Sequence, residues 1–322
     1  MRVRESVAVI TGASSGIGRA TALALATSGA AVVLVARREG ALRDVSRECE
    51  AAGGRTLVAP ADVTDPAAVN AAAARAVERF GRIDAWVNTA AVSVFAPFEE
   101  TPLEDFRQVL DVNVMGYVHG ARAALPPMRE RGRGVIVNVS SIVAEVPQPY
   151  THAYVMSKAA VRMLAASLRQ ELWLRGARGI KVCTVMPATI DTPLFQHAAN
   201  YTGRKAKAMP PVYPPERVAR AILNVIRLPR REVIVGPMGR NLVVQWKLTP
   251  GLTERQMAIQ VDKLHLSRAQ PAPPTAGNLF EPAPGPGSVD GGWHGRRRTA
   301  LRRAASAGLV GAGLAAAVRQ RR

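Results

Sequence analysis

The sequence has few cysteines and no apolar run long enough to cross a bilayer. Its 322 residues include only two cysteines, Cys49 and Cys183. One lies on a predicted helix and the other in an apolar strand, a placement that argues against a disulfide framework and favours a reducing compartment. No signal peptide precedes the first predicted strand, which begins within about six residues of Met1. We therefore expect a cytoplasmic protein.

Aromatic residues are scarce where the positive charge is concentrated. The formal net charge is +19, and residues 290–322 contribute +7 of it through eight arginines and one aspartate. Only Trp293 lies near these arginines, so the stacking platform that binds single-stranded nucleic acids is missing. We predict no nucleic acid partner and no metal site. An anionic membrane surface, an anionic cofactor or an arginine-rich proteome would explain the excess charge equally well.

The C-terminal region differs in composition from the rest of the chain. We predict an extra helix within residues 249–268, a Pro/Gly-rich linker over 269–292 and a basic, alanine-rich tail over 293–322. Residues 304–318 of the tail would span about 22 Å as a helix, which is short of the roughly 20 residues that a bilayer core requires. The tail could associate with a membrane, or it could be disordered or loosely helical.

Seven short apolar segments alternate with helical patterns in the first 248 residues. Continuous apolar strands that alternate with helices indicate a parallel sheet covered on both faces. We therefore predict one α/β domain over residues 1–248, a Rossmann-type doubly wound parallel sheet of seven strands, with a C-terminal extension. Ligands are expected at the carboxyl ends of the strands. The predicted strands are 7–10, 31–35, 56–59, 85–88, 135–139, 181–186 and 233–235.

A glycine-punctuated turn joins the first predicted strand to an alanine-rich helix. Glycines allow a tight turn and a close approach of the backbone to a pyrophosphate, whose charge is met by amides at the helix N-terminus. Packing alone is the alternative reason for such a turn. We predict that the turn cradles a dinucleotide through Thr11, Gly12, Ser14, Ser15, Gly16, Ile17 and Gly18.

The end of the second predicted strand suggests which dinucleotide binds. An acidic residue about 20 positions after the glycines would bind the ribose 2′-hydroxyl of NAD. The chain instead reads Arg37-Arg38, and it has no Asp or Glu between Glu5 and Glu39. A guanidinium can bind a 2′-phosphate through charge-assisted hydrogen bonds. We therefore favour NADP(H) over NAD(H); the alternative is that both arginines are solvated.

A second set of polar residues lies about 140 positions further on. Tyr154 and Lys158 are four residues apart on a predicted helix and share one face, where the ammonium can favour the ionised phenol. Ser140 and Ser141 end an apolar strand, and Ser141 lies thirteen positions before the tyrosine. An isolated Tyr-x-x-x-Lys is common by chance, but together with the glycine turn and Asn113 it indicates a catalytic set.

With these residues in place, the chain from about Glu5 to Gly236 resembles the classical short-chain dehydrogenase/reductase family. The resemblance rests on five motifs in order. Two departures are Asn88-Thr89-Ala90-Ala91, where the family has Asn-Asn-Ala-Gly, and Pro187-Ala188, where it has Pro-Gly. The five motifs are the glycine turn, Asp62-Val63, Asn88 to Ala91, Asn113, and the set of Ser141, Tyr154 and Lys158.

The resemblance implies a role for each matching residue. Tyr154 would be the general acid and would also contact the cofactor, Ser141 would bind the same substrate oxygen, and Lys158 would also bind the nicotinamide ribose. Asn113 would hold a water that links Lys158 to solvent. Further cofactor contacts are implied for Asp62 and Val63 near the adenine, Asn88 and Ala90 near the adenine ribose, and Pro187 and Thr192 near the carboxamide and phosphates. A homodimer or homotetramer is also implied.

The resemblance also implies a lid, which we place at residues 189–215. Phe195, Tyr201, Met209 and Val212 would give this lid an apolar inner surface. We expect an NADP(H)-dependent oxidoreductase that interconverts a secondary alcohol and a ketone on a fairly apolar small molecule. Two alternatives are a 3-ketoacyl thioester reductase, in which Arg204, Lys205 and Lys207 would meet a carrier's phosphate, and a non-catalytic, membrane-tethered nucleotide-binding protein.

Overall fold

The main sheet consists of seven parallel strands. A computed structural model describes residues 2–293 of the chain, and within that range it contains eleven strands, β1 to β11. The seven predicted strands correspond to β1–β4, β6, β7 and β10. In chain order the strands are Val7–Thr11, Ala31–Ala36, Arg55–Pro60, Ala85–Asn88, Val94–Phe95, Gly134–Val139, Ile180–Pro187, Ala199–Asn200, Arg204–Ala206, Glu232–Val235 and Leu266–Pro271.

The strand order creates the crevice in which ligands of such sheets bind. The order is β10-β7-β6-β4-β1-β2-β3, and every pairing is parallel. The order reverses between β1 and β4, where Thr11 pairs with Asn88 at the carboxyl ends. Doubly wound sheets bind ligands outside this switch point. The predicted fold class is therefore confirmed.

Ten α-helices, α1 to α10, lie within the described residues. Apolar side chains of α1, α2 and α8 pack on one face of the sheet, while those of α3, α5 and α6 pack on the other. Nearly every residue of the central strands is buried for this reason. The helices are Gly16–Thr27, Glu39–Ala51, Pro66–Phe80, Leu103–Leu110, Gly116–Glu130, His152–Leu174, Leu194–His197, Pro215–Arg227, Pro237–Leu248 and Pro250–Gln260.

Helices α4 and α5 form one continuous helix with a wider turn between them. This π-helical turn, Asp111–Met115, contains Asn113. Turns of this kind are rare and occur frequently at functional sites. The asparagine therefore sits where the helix departs from regular geometry.

The C-terminal extension is ordered against the domain, which differs from the predicted linker. Helix α10 continues into a π-turn, Val261–His265, and then into β11, which pairs antiparallel with β9. The region predicted as a lid contains α7 and the short strands β8 and β9. The Pro/Gly-rich segment continues along the side of the fold at which the parallel strands end, where its backbone is hydrogen-bonded to the domain. Proline and glycine gave it the composition of a linker, but they also allow it to follow a curved surface.

Two further observations concern the cysteines and the membrane. Cys49 and Cys183 are both buried and free. Within residues 2–293, no helix combines the length and apolarity needed to span a bilayer. The candidate membrane element, residues 304–318, lies outside the described residues.

Candidate active site

The turn between β1 and α1 is closely packed against the end of β4. Gly12 has a φ of +69°, and a Cβ there would lie 2.7 Å from the nitrogen of Ala90. A Cβ on Gly18 would lie 2.2 Å from the carbonyl oxygen of Gly12. Neither position can hold a side chain without moving the backbone. Because the turn has no side chains at these positions, the first amides of α1 lie at the floor of a cleft.

This cleft is one continuous cavity of about 390 Å³ along the carboxyl ends of the strands. Its volume is within the range of roughly 300–1,000 Å³ that is usual for ligand pockets. Most of the predicted site residues line it: Gly12, Ser14, Ser15, Gly16, Ile17, Gly18, Arg37, Arg38, Asp62, Val63, Ala90, Ser141, Tyr154, Lys158, Pro187 and Thr192.

Two predicted cofactor contacts lie elsewhere. Thr11 is fully buried, and its hydroxyl accepts a hydrogen bond from the amide of Thr89 at 3.2 Å. Asn88 is also fully buried; it donates to Asn138 at 2.9 Å and accepts from the indole of Trp86 at 2.8 Å. Neither lines the cavity. These side chains join neighbouring strands beneath the site, and Thr89, Ala90 and Ala91 line the cavity. The cofactor contacts of Thr11 and Asn88 stay predictions.

Asn113 lies beneath the cavity and connects two elements that line it. Its side chain is buried and bonds to both backbone groups of Val92, at 2.9 Å each, and it donates to the hydroxyl of Ser157 at 3.0 Å. It does not itself line the cavity. Asn113 thus fixes the loop after β4 against α6, the helix that carries Tyr154 and Lys158.

The two adjacent serines at the end of β6 have different environments. Ser140 is buried and donates to the carbonyl of Lys158 at 2.7 Å. Ser141 forms a side-chain hydrogen bond with Tyr154, which acts to lower the pKa of the phenol. Burial has the larger effect and raises the pKa of Tyr154 to about 12. Ser141, rather than Ser140, is thus the serine that influences the pKa of the tyrosine.

Lys158 is a buried lysine beside the phenol. Its ammonium nitrogen lies 5.4 Å from the centre of the Tyr154 ring and donates to the carbonyl of Val139 at 3.0 Å and to the hydroxyl of Tyr117 at 3.3 Å. Burial penalises the charged form and lowers the pKa of Lys158 to about 7. Tyr154 and Lys158 therefore come together as the helical spacing predicts.

The two predicted arginines lie at the end of the cavity beside β2, where the sequence predicts the adenosine half of a dinucleotide; we call it the adenosine end. Arg37 lies 3.9 Å from the carboxylate of Asp62, which also accepts from the amide and hydroxyl of Thr64. Both arginines donate to backbone carbonyls of the C-terminal extension as well: Arg37 to Asn278 at 2.8 Å and Arg38 to Ala283 at 2.9 Å. Sequence reasoning missed these partners because they are about 240 residues away.

The opposite end of the cavity is largely apolar. Of the four residues predicted for the inner surface of the lid, Phe195 and Met209 line the cavity, whereas Tyr201 and Val212 do not. Tyr201 instead donates to Asp105 at 2.6 Å. Sequence reasoning missed most of the other apolar lining, which comes from the loop after β6 and from the C-terminal helices: Ile142, Val143, Val146, Met238, Leu242 and Met257.

His265 also lines this end and was not predicted. It lies edge-on to Phe95 and Phe195, with ring centres 5.0 and 5.4 Å away. Burial lowers the pKa of His265 to about 4, so the ring is neutral near pH 7. It therefore adds a polar but uncharged surface to the apolar end.

Comparisons with known proteins agree with this geometry. The family described as short chain dehydrogenase matches residues 6–202. A Bacillus subtilis protein named uncharacterized oxidoreductase YxnA is 37% identical over 258 residues, which cover 80% of this chain and 72% of that protein.

Two solved structures share the fold. A short chain dehydrogenase/reductase from Burkholderia phymatum, in complex with NAD, is 28% identical and has a TM-score of 0.71 over 79% of this chain and 97% of its own. An alcohol dehydrogenase from Thermococcus sibiricus, complexed with 5-hydroxy-NADP, is 28% identical and has a TM-score of 0.63 over 72% of this chain and 96% of its own.

Proposed function

Because the chain belongs to the short-chain dehydrogenase/reductase family, we propose that it is an NADP(H)-dependent oxidoreductase that interconverts a secondary alcohol and a ketone on a fairly apolar substrate. One observation carries the proposal. A single cavity joins the glycine turn, the polar group of Ser141, Tyr154 and Lys158, and an apolar wall. A dinucleotide and an apolar substrate would therefore meet at the phenol.

The described residues fit a nicotinamide dinucleotide. The glycine turn brings the backbone to the floor of the cavity, where a Cβ on Gly12 or Gly18 would collide with the main chain. Asp62, Val63 and Ala90 line the same end, and Pro187 and Thr192 line the path toward Tyr154. A bound nicotinamide would supply hydride transfer to or from the carbon that carries the substrate oxygen.

The protein residues would then handle the proton and the charge on that oxygen. Tyr154 donates its proton to the oxygen during reduction and accepts a proton during oxidation. Ser141 holds the oxygen through a second hydrogen bond. With a pKa of about 12, the phenol of the cofactor-free protein is protonated at pH 7. Lys158 would bind the nicotinamide ribose and, when charged, stabilise the phenolate.

Preference for NADP(H) rests on Arg37 and Arg38. Both line the adenosine end of the cavity, and no acidic residue ends β2 to repel a 2′-phosphate. The two solved neighbours carry NAD and 5-hydroxy-NADP respectively, so the fold accommodates either type. The two guanidinium groups are what favour the phosphorylated form in this chain.

One of the basic residues near the lid is already paired, which weakens the alternative of a carrier-bound thioester. Arg204, one of three basic residues considered for binding a carrier's phosphate, pairs with Asp262 at 2.6 Å and also donates to backbone carbonyls. Its charge is therefore already used within the protein. A purely binding role would leave the buried pair of Tyr154 and Lys158 without a purpose, because nucleotide binding needs no phenol.

We also propose that the protein is a homodimer or homotetramer. Large apolar side chains are exposed on α4 and α6, where Leu103 is 83% and Trp173 is 65% accessible. A second copy of the chain could cover them. Sedimentation velocity would test this, since a monomer at micromolar concentration would contradict it.

The function is tested by titrating the purified protein with NADPH and NADH while following the fluorescence of the reduced nicotinamide. We expect tighter binding of NADPH, and we expect the Arg37→Ala variant to lose most of that preference. Turnover is then measured with a series of apolar ketones. Tighter binding of NADH would refute the cofactor assignment, and absence of binding by either dinucleotide would refute the enzymatic function.

A further inference from the structure

Residues 275–293, which we call the strap, cross the adenosine end of the cavity and are held at both ends. At the first end, Thr275 and Asn200 exchange two backbone hydrogen bonds of 2.8 and 3.1 Å. At the other end, the carboxylate of Asp191 accepts from the amides of Gly291 and Trp293 at 2.8 and 2.9 Å. The strap is therefore tied to the loop after β7 and to β8, on the side of the sheet where a dinucleotide binds.

The middle of the strap lies against the glycine turn and the end of β2. The amide of Gly16 donates to the carbonyl of Ser288 at 2.8 Å, and the guanidinium of Arg19 donates to the carbonyl of Gly287. Arg37 and Arg38 donate to strap carbonyls, as described above. The strap thus uses carbonyl oxygens to bind donors at the predicted phosphate site, and one of them, the amide of Gly16, belongs to the predicted cradle itself.

One side chain of the strap is fixed beside the cavity with an unused acceptor. The backbone of Asn278 is held on both sides, since its amide donates to the carbonyl of His197 at 2.8 Å and its carbonyl accepts from Arg37. The next residue, Leu279, is fully buried, which anchors the position further. The side-chain oxygen Oδ1 of Asn278 is buried and has no hydrogen-bond partner, although the residue lines the cavity.

A buried acceptor without a partner is uncommon, because it loses its hydrogen bonds to water and gains nothing in return. Space remains beneath the strap, since Gly12, Asp62 and Val63 line the same cavity as Asn278 and Ala283. At Asn278 and Ala283 the strap therefore lines the cavity opposite Gly12, Asp62 and Val63, whereas at Gly287 and Ser288 it contacts the glycine turn directly.

We propose that the strap is the outer wall of the adenosine subsite and that Oδ1 of Asn278 accepts a hydrogen bond from the adenosine half of the cofactor. This proposal rests on the proposed function, because it requires that the protein binds a dinucleotide. Arg37 and Arg38 then have a second role, because they hold the wall in place. Release of the dinucleotide requires the strap to move away from the glycine turn.

The first test separates the two halves of the cofactor. The Asn278→Leu variant removes the acceptor but keeps the backbone contacts, and Asn224→Leu, at an exposed position on α8, is the matched control. Calorimetric titrations use NADPH, 2′,5′-ADP and nicotinamide mononucleotide. We expect Asn278→Leu to weaken binding of NADPH and 2′,5′-ADP by about 3- to 10-fold, as for loss of one buried hydrogen bond. Asn278→Leu should bind nicotinamide mononucleotide as tightly as the wild type does. The control variant Asn224→Leu should bind all three probes with wild-type affinity.

Equal affinities of wild type and Asn278→Leu for 2′,5′-ADP would overturn the role of Asn278. If the wild type binds none of the three probes, that result would instead refute the proposed function. The two failures are therefore distinguishable without measuring turnover.

The second test displaces the strap itself. A Cβ on Gly287 would lie 1.9 Å from the carbonyl oxygen of Ser14, whereas a Cβ on Gly251 would meet no atom within 4 Å. Gly287→Ala should therefore loosen the strap, and Gly251→Ala is its control. We expect Gly287→Ala to weaken NADPH binding about tenfold through faster release in stopped-flow displacement, and to make residues 280–290 susceptible to limited proteolysis.

Tighter NADPH binding by Gly287→Ala would overturn the proposal, because it would mean that the strap competes with the cofactor. Unchanged binding together with cleavage of the strap would also overturn it, since the wall would then contribute nothing to the ligand.

Discussion

At the scale of single residues, burial displaces the pKa values of the two central ionisable groups in opposite directions. The pKa of Tyr154 is raised to about 12 and that of Lys158 is lowered to about 7. Each shift favours the uncharged form, because a charge loses its hydration in the cavity. In the cofactor-free protein the phenol therefore holds its proton, and the lysine is near its midpoint at pH 7.

The role of the phenol is tested by Tyr154→Phe. The substitution removes the proton donor but keeps the ring that lies beside Lys158, so we expect turnover to fall by about 10²- to 10⁴-fold. Affinity for NADPH should stay within about twofold, since the adenosine contacts are unaffected. Steady-state kinetics and fluorescence titration measure the two effects. A variant that keeps wild-type turnover would contradict the assignment of Tyr154 as acid.

The shifted lysine makes stability depend on pH. The folded-state pKa of Lys158 is about 7, below its usual value of 10.5, so between these values the unfolded chain binds more protons than the folded one. The free energy of unfolding should therefore rise from pH 7 toward pH 10, with a contribution of up to about 1.4 kcal/mol per pH unit.

The measurement is urea unfolding of the wild type and Lys158→Met at pH 7, 8 and 9. The difference in unfolding free energy between the two proteins should change with pH in favour of the wild type, because other titrating groups cancel in the comparison. A difference that is constant over this range would show that Lys158 titrates normally.

Sequence spacing predicted the contact between Tyr154 and Lys158 but not the buried positions of Thr11 and Asn88, for a physical reason. Tyr154 and Lys158 are related by one helical turn, a local relation that the sequence displays directly. Thr11 and Asn88 stand at strand ends, where the face that a side chain occupies depends on the pleat and on the neighbouring strand. The bond from Asn88 to Asn138 joins β4 to β6, and such a partner is not visible in the sequence around position 88.

At the scale of elements, the junction of β1 and α1 depends on contacts between backbones. Gly18 has no positive φ, but its Cα faces the carbonyl of Gly12 and the hydroxyl of Thr89. Glycine is required there by close packing rather than by an unusual conformation. The turn, the first helix and the loop after β4 therefore hold one another in position.

Replacing Gly18 with alanine should separate these elements. The added Cβ would lie 2.2 Å from backbone oxygen, so the turn must shift, and we expect NADPH affinity to fall by at least about tenfold, with a loss of about 2 kcal/mol in stability. Fluorescence titration and thermal unfolding measure the two effects. Gly40→Ala is the control, since a Cβ at that position meets nothing within 4 Å. Equal affinity in both variants would contradict the packing argument.

The helix that contains Asn113 shows another limit of sequence reasoning. A helical pattern predicted this element correctly, but the π-helical turn at Asp111–Met115 has no glycine or proline to mark it. Its position depends on the bonds between Asn113 and Val92, which form only when α4 packs beside the loop after β4. The element type follows from local pattern, whereas the irregular turn follows from tertiary contacts.

At the scale of the whole molecule, the C-terminal extension is the part whose contacts were least visible in the sequence. The seven-stranded sheet was predictable because buried parallel strands are continuous apolar runs. The strap was predicted to be a linker because its proline and glycine content resembles that of linkers. Its partners, Gly16, Arg19, Arg37 and Arg38, lie about 250 residues earlier in the chain, and no local pattern encodes them.

This arrangement also predicts how stability is distributed over the molecule. The strap is held mainly by hydrogen bonds from arginine side chains and loop amides, whereas the central strands are buried on both faces. Segments with few buried apolar contacts open locally at a lower free energy than the core. In the free protein we therefore expect strap amides to exchange with deuterium faster than those of β1, β4 and β6.

Binding of NADPH should slow that exchange if the strap covers the adenosine half. A ligand that binds only the closed form stabilises it by mass action, so protection at 100 times the dissociation constant should rise by about 100-fold. Hydrogen exchange followed by mass spectrometry resolves peptides within residues 275–293, with peptides of the central strands as the internal reference. Exchange in the strap that becomes faster with NADPH would mean that the cofactor displaces it, and the strap would then restrict access to the site rather than complete it.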